Sequence, residues 1–219
     1  MSIVDKVLGA ITPPETEEDR AEATAKARAA AAQGDWLSMA LDHHDQIRAA
    51  FATARTATDS ADRLAAFKTL ATVLNGHSLA EEVVLYPALA KSGEKGHAGM
   101  AYTEQTTAKM QMAELERIAP EDQAWFDKLE HIRGAVLHHI YEEEGTWFLE
   151  LKEKAPDQAF LTLRFAEEYE RYSRGAATLS PEPRSFVAAD EADLEEIGRN
   201  DAGPLQMGDD TQDEADRRF

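Results

Sequence analysis

The chain has 219 residues, 42 acidic against 23 basic side chains, a formal charge of −19 and no cysteine. That length suits one domain with additional segments, and the charge repels nucleic-acid phosphates and anionic membrane surfaces, so neither partner is expected. Disulfides, thiolate metal sites and a cysteine nucleophile are excluded, so any metal must be held by nitrogen and oxygen.

Met1–Thr12 suits a turn or two of amphipathic helix, stopped by Pro13 and Pro14. Its apolar stretch is too short for a secretory signal, and no run of roughly 18 apolar residues occurs, so the expectation is a cytoplasmic protein. The Ala- and Glu-rich run Glu15–Ala32 reads as helix without obvious chemistry. Asp35–Thr56 carries apolar residues at three- and four-residue steps, from Leu37 through Ile47 to Phe51, and forms a predicted helix A. Thr58–Ser60 supplies a turn and cap before helix B, Ala61 to about Ala90, which Pro87 bends or ends. Lys91–Gly96 is a Gly-rich loop. His97 to about Ile118 is helix C, with Met100, Met110, Met112 and Leu115 at its apolar positions, closed by Pro120. Asp122 is placed to cap helix D, which runs to about Lys154 through Trp125, Leu129, Ile132, Val136, Ile140 and Trp147. A shorter helix follows near Asp157–Arg174. No period-two alternation marks a strand, so the predicted class is all-α.

The expected organisation is an N-terminal helical extension over 1–34, an up-down-up-down four-helix bundle over 35–155, an additional helix over 156–175 and an acidic tail of low order over 176–219. The tail has too little apolar surface to offset its ordering entropy.

The chemistry lies in two repeated pairs. His77 precedes Glu81 and His139 precedes Glu143, each by four residues, so an imidazole and a carboxylate share one helical face twice. One such pair alone is usually a solvated ion pair. Two of them on alternate helices, each among bulky apolar residues, point into the interior, where an unpaired carboxylate is costly. Facing helices of this kind build two-metal sites. Mixed imidazole and carboxylate donors suit iron best, with zinc or manganese also possible. Reflecting helix A about a loop centre near Ser60 brings His44 level with His77.

These segments resemble the hemerythrin-like HHE cation-binding family over about Asp35–Lys152. LDHHDQIRAAF is similar to its first-helix motif, HSLAEEVVLYPAL to its second and HHIYEEEGTWF to its fourth. Position relative to Ile47 and Phe51 selects His44 over His43. The resemblance implies that His44, His77, Glu81, His139 and Glu143 ligate a non-haem di-iron centre with oxo or hydroxo and carboxylate bridges. Helix C departs from the family: its histidine would fall near 103–105, where this chain has Thr103, Glu104 and Gln105. Reflections from helices D and B bracket Glu104, which is favoured as a carboxylate replacement, with His97 the competing ligand.

The other histidines receive plainer readings. His43 and His138 point about 100° away from their neighbours, to the surface or to contact with a ligand from outside. His131, about 12 Å from His139 along the axis, reads as a core or rim histidine. Tyr86, Tyr102, Trp147 and Phe148 read as packing, with ligation or a radical role as the alternative weighed for Tyr102. Three functions stay open: a centre binding dioxygen, nitric oxide or peroxide for sensing, delivery or protection; a di-iron oxidase or peroxidase; and an iron store or sensor read by a protein partner.

Overall fold

A computed structural model describes residues 15–178. The turn expected over Met1–Thr12 and nearly all of the expected tail lie outside the described residues. Among the described residues six helical rods succeed one another: α1 (Glu17–Ala30), α2 (Trp36–Thr56), α3 (Ser60–Ala80) continuing into α4 (Tyr86–Lys91), α5 (Lys95–Leu115), α6 (Gln123–Glu142) continuing into α7 (Phe148–Lys154), and α8 (Gln158–Thr178). The described residues contain no strand. No described helix is long and apolar enough to cross a membrane.

The helix starts obey capping chemistry. Thr16 and Asp19 form a reciprocal capping box on α1, and Asp35 and Asp59 accept the N–H of Ser38 and Asp62 at the heads of α2 and α3. Asp122 stands at the N-cap of α6, but its side chain makes no capping bond, contrary to expectation. Pro87 does not end helix B. The rod passes through one π turn, Glu81–Leu85, where the Tyr86 N–H bonds the Glu81 carbonyl, and continues as α4. In that i→i−5 register the missing N–H of Pro87 strands the Glu82 carbonyl. The Tyr102 hydroxyl takes its place, donating to Glu82 O at 2.6 Å. A second π turn, Glu143–Trp147, joins α6 to α7 in the same way.

Two apolar clusters fill the interior. One gathers Trp36, Leu37, Leu41, Leu85, Leu89, Trp147 and Phe148; the other gathers Ile47, Phe51, Leu70, Trp125, Leu129 and Ile132. Between them along the helices lie buried His44, His77, Glu81, Gln105, His139 and Glu143. On α5 the expected apolar face is displaced: Met100 and Met110 are exposed, whereas Ala98, Ala101, Gln105, Met112 and Leu115 are buried. Small residues here let the helix approach its neighbours while Met100 and Met110 lie outside.

The last helix differs from expectation in length, since α8 has 21 residues and packs over α2 and α3. Phe165 is fully buried, and Gln158 accepts the indole N–H of Trp36 at 2.6 Å. Gly76 makes the approach possible: a Cβ there would stand 2.9 Å from Tyr172 Cδ1 and 3.3 Å from Tyr169 Cε2.

Candidate metal centre

The two His-x-x-x-Glu pairs and His44 converge. His44 Nε2 faces His77 Nε2 at 3.0 Å and Glu143 Oε2 at 3.3 Å, and His77 Nε2 stands 3.1 Å from Glu81 Oε1. Glu81 and Glu143 are fully buried. Although close to imidazoles, Glu81 Oε1 and Glu143 Oε2 make no well-directed hydrogen bond. Donors sharing one ion at bond lengths of about 2.1 Å lie about 3.0 Å apart at a right angle and about 3.4 Å apart at the tetrahedral angle. The observed separations fall in that interval, so His44, His77, Glu81 and Glu143 can hold one cation together. Isolated buried carboxylates are otherwise strongly disfavoured.

The remaining carboxylate oxygens face a second group of donors. The Tyr86 hydroxyl lies 2.8 Å from Glu143 Oε1, 3.2 Å from Glu81 Oε2 and 3.1 Å from His139 Nε2. His139 Nε2 is also 3.3 Å from Glu143 Oε1. Gln105 Nε2 donates to Glu81 Oε2 and to the Tyr86 oxygen, both at 2.5 Å. Each glutamate thus turns one oxygen to the His44–His77 side and the other to the Tyr86–His139 side.

Outside these donors sit two orienting carboxylates. Glu144, almost fully buried, faces His44 Nδ1 at 2.8 Å, accepts from Arg48 Nη2 at 2.9 Å on both oxygens and accepts from the Thr24 hydroxyl. Glu104 faces His139 Nδ1 at 2.8 Å. Carboxylates on the far nitrogen of a metal-binding imidazole fix its ring orientation and tautomer. Burial works against a charged His44, but the hydrogen bonds and charges of Glu143 and Glu144 outweigh it and lift the group to about 9. Burial likewise opposes charge on His139, yet Glu143, Glu104 and Glu81 raise it to about 10. Against its own burial, Glu143 is held well below the usual range by His139 and His44. Burial and the carboxylates Glu143 and Glu81 push the Tyr86 phenol well above its ordinary value.

Several expectations change. Glu104 does not enter the shared donor set; α5 turns it behind His139, and Gln105, one residue on, is the side chain that points inward. His97 lies elsewhere, half-exposed at the head of α5, with Nδ1 2.9 Å from Glu150 and the ring stacked over Trp147. Tyr102 caps a backbone carbonyl, and Tyr86 is the tyrosine among the donors. The α1 extension does carry chemistry, through Thr24. His131 is exposed, because eight residues leave it about 80° from His139 around the helix. His138 is exposed and meets Glu15 at 3.0 Å. His43 is buried, stacked 3.7 Å from Tyr169 with its edge toward His77; burial and the neighbouring histidines push it down to about 3, so it is neutral. The i,i+4 spacing reveals neither Glu144, Gln105 nor Tyr86.

A cavity of about 20 Å³ adjoins the centre, lined by His77, Glu104, Gln105 and His139 with Ile47, Leu74, Val136 and Ile140. That volume admits about one water-sized molecule.

Residues 37–151 match the family model described as the hemerythrin HHE cation binding domain. A curated protein named DNA nickase, from Nostoc sp. (strain PCC 7120), is 29% identical over 79 residues, which are 36% of this chain and 22% of that protein. The chain therefore spans well under two thirds of that relative's length. No solved structure matches it.

Proposed function

Because this chain belongs to the hemerythrin HHE cation-binding family, we propose that its up-down-up-down bundle holds two iron ions and binds a small oxidant, dioxygen, nitric oxide or peroxide, for sensing, delivery or protection. The observation that carries the reading is the division of Glu81 and Glu143, each with one oxygen toward His44 and His77 and the other toward His139 and Tyr86. Bridging carboxylates of this kind suit a pair of cations better than one. His44 and His77 would hold one ion and His139 the other, with both glutamates between them and the Tyr86 oxygen on the His139 side. Iron, when bound, supplies a redox-active site with affinity for small oxidants.

The chain's own groups set the conditions. Glu144 and Glu104 hold the two imidazoles in place, and the apolar walls formed by Ile47, Leu74, Val136 and Ile140 exclude bulk water from the adjoining cavity. In the metal-free protein Tyr86 keeps its proton at Oη, within hydrogen-bond reach of Glu143 Oε1.

An oxidase or peroxidase is the second reading, favoured by the Tyr86 phenol, an oxidisable proton donor inside the donor set. We propose no nucleic-acid partner: the −19 charge opposes it, and nicking belongs to a relative matched over 22% of its length. Metal analysis of protein purified under iron-replete conditions, with optical spectra in oxygen, nitric oxide and peroxide, tests both readings. About two irons per chain and a reversible spectral change support binding, and turnover of peroxide supports the enzyme. Protein that takes up no iron would overturn both.

A further inference from the structure

A cleft of about 580 Å³ opens between α1, α2 and α6, away from the α8 side of the molecule. Its walls carry Arg20 from α1, Arg48 and Arg55 from α2, and Arg133 from α6, over an apolar floor that includes Phe51 and Leu137. Four guanidinium groups from three helices gather around this one concavity, with the carboxylates of Glu17 and Asp45 beside them. The pair left short of carboxylate partners is Arg55 and Arg133. Arg55 and Arg133 converge on a single carboxylate, Glu130, leaving one positive charge in excess. Arg20 is already held by the well-buried Glu15 side chain and by Glu17, and Arg48 by Asp45 and Glu144, so these two arginines shape the wall while Arg55 and Arg133 supply the uncompensated charge. Each guanidinium presents five N–H donors in a planar fork suited to carboxylate and phosphate oxygens.

We propose that this cleft binds an amphipathic organic anion, a carboxylate or phosphate ester with an apolar body. The volume lies in the range of small-molecule sites, well beyond the needs of a bare inorganic ion. The floor takes the apolar body and the arginine fork takes the anionic head. Arg48, which lines the cleft, also gives the site a route inward: its Nη2 bonds both oxygens of Glu144, whose Oε1 faces His44 Nδ1. An anion that draws on Arg48 loosens the group that orients His44. This coupling, unlike the binding itself, rests on the metal reading above.

The test is calorimetric titration of the full-length, metal-loaded protein with phenyl phosphate, alongside benzyl alcohol and inorganic phosphate. Phenyl phosphate is expected to bind once per chain, with each comparison compound at least about tenfold weaker, because each lacks either head or body. The double variant Arg55→Glu, Arg133→Glu is expected to lose at least about tenfold in affinity while keeping its helical circular dichroism. If that variant melts early, Arg133→Gln alone carries the comparison. Equal binding of benzyl alcohol, unchanged affinity in the arginine variants, or no binding of phenyl phosphate would overturn the proposal. The same titration on Glu143→Ala protein, stripped of metal, separates the two readings: binding survives there if only the metal reading fails. Finally, phenyl phosphate is expected to shift the optical spectrum of the loaded wild-type centre, and a spectrum that stays fixed at saturation would overturn the coupling through Arg48.

Discussion

The two His-x-x-x-Glu repeats share one backbone device and diverge in the side chains just beyond it. Both glutamates open a π turn, and in both a second glutamate and an aromatic residue five positions on come next: Glu82 and Tyr86 after Glu81, Glu144 and Phe148 after Glu143. Glu82 faces outward to Lys109 at 2.6 Å, whereas Glu144 is buried against His44 and Arg48. Tyr86 sends a hydroxyl among the donors, whereas Phe148 lies parallel to the His44 ring at 5.8 Å. A repeated scaffold thus yields two unlike positions, one walled by an apolar ring and the other by a phenol. The symmetry belongs to the backbone and the asymmetry to four side chains.

The largest effect expected is from the shared element. Glu81→Ala and Glu143→Ala should each weaken metal binding beyond the roughly 100-fold that removal of an orienting partner costs, with helical circular dichroism retained, because the apolar stripes remain. Metal analysis after dialysis checks this, and full metal content in both variants would end the two-ion reading.

The unlike glutamates come next. Glu144→Gln should weaken metal binding about 10–100-fold, whereas Glu82→Gln, which breaks a surface pair, should change stability by less than about 0.5 kcal/mol and leave metal untouched. Equal effects from the two would show that the repeats are functionally symmetric after all.

Exchange of the aromatic residues sharpens the contrast further. Tyr86→Phe should weaken the ion on the His139 side by about tenfold while sparing the other, seen as a second, weaker step in metal titration. A single unchanged step would remove Tyr86 from the donor set.

The smallest expected effect is on pH dependence. In metal-free protein His44 and His139 are raised from 6.5 to about 9 and about 10. Their stabilisation is fully present below about pH 6.5 and is lost as pH rises through those folded-state values. Melting temperature of the metal-free protein should therefore fall between neutral and alkaline pH, and the loaded protein should show a flatter profile, because bound ions keep the histidines neutral. Glu143→Gln should flatten the metal-free profile more than Glu81→Gln, since Glu143 acts on both histidines.

Part of this arrangement is readable from residue order. Four-residue spacing and a hairpin reflection bring His44, His77, Glu81, His139 and Glu143 together, because an α-helix repeats its face at that interval. Tyr86 is not readable by the same arithmetic: five α-helical steps turn a side chain about 140° from Glu81. The π turn, by closing i to i+5, returns that position to the same face. Glu144 is hidden for a related reason, because its neighbour Glu143 takes the inward direction and only the packing of α1 and α2 buries it. On α5 a one-residue difference in rotation separates Glu104 from Gln105, finer than any reflection across a loop can resolve. The misplaced apolar face of α5 has the same origin: composition favours Met100 and Met110, whereas the close approach of neighbouring helices favours alanine.

The polar layer between the two apolar clusters has a consequence for how the molecule breathes. What joins the two clusters is a set of ionisable groups and not continuous hydrocarbon packing, so each is expected to loosen without dragging on the other. In deuterium exchange, the amides of Glu81–Leu85 and Glu143–Trp147 should then form a fast-exchanging band across the middle of metal-free protein, flanked by slower ends. Adding metal should slow that band selectively, and the ions would act as a rivet between two half-cores.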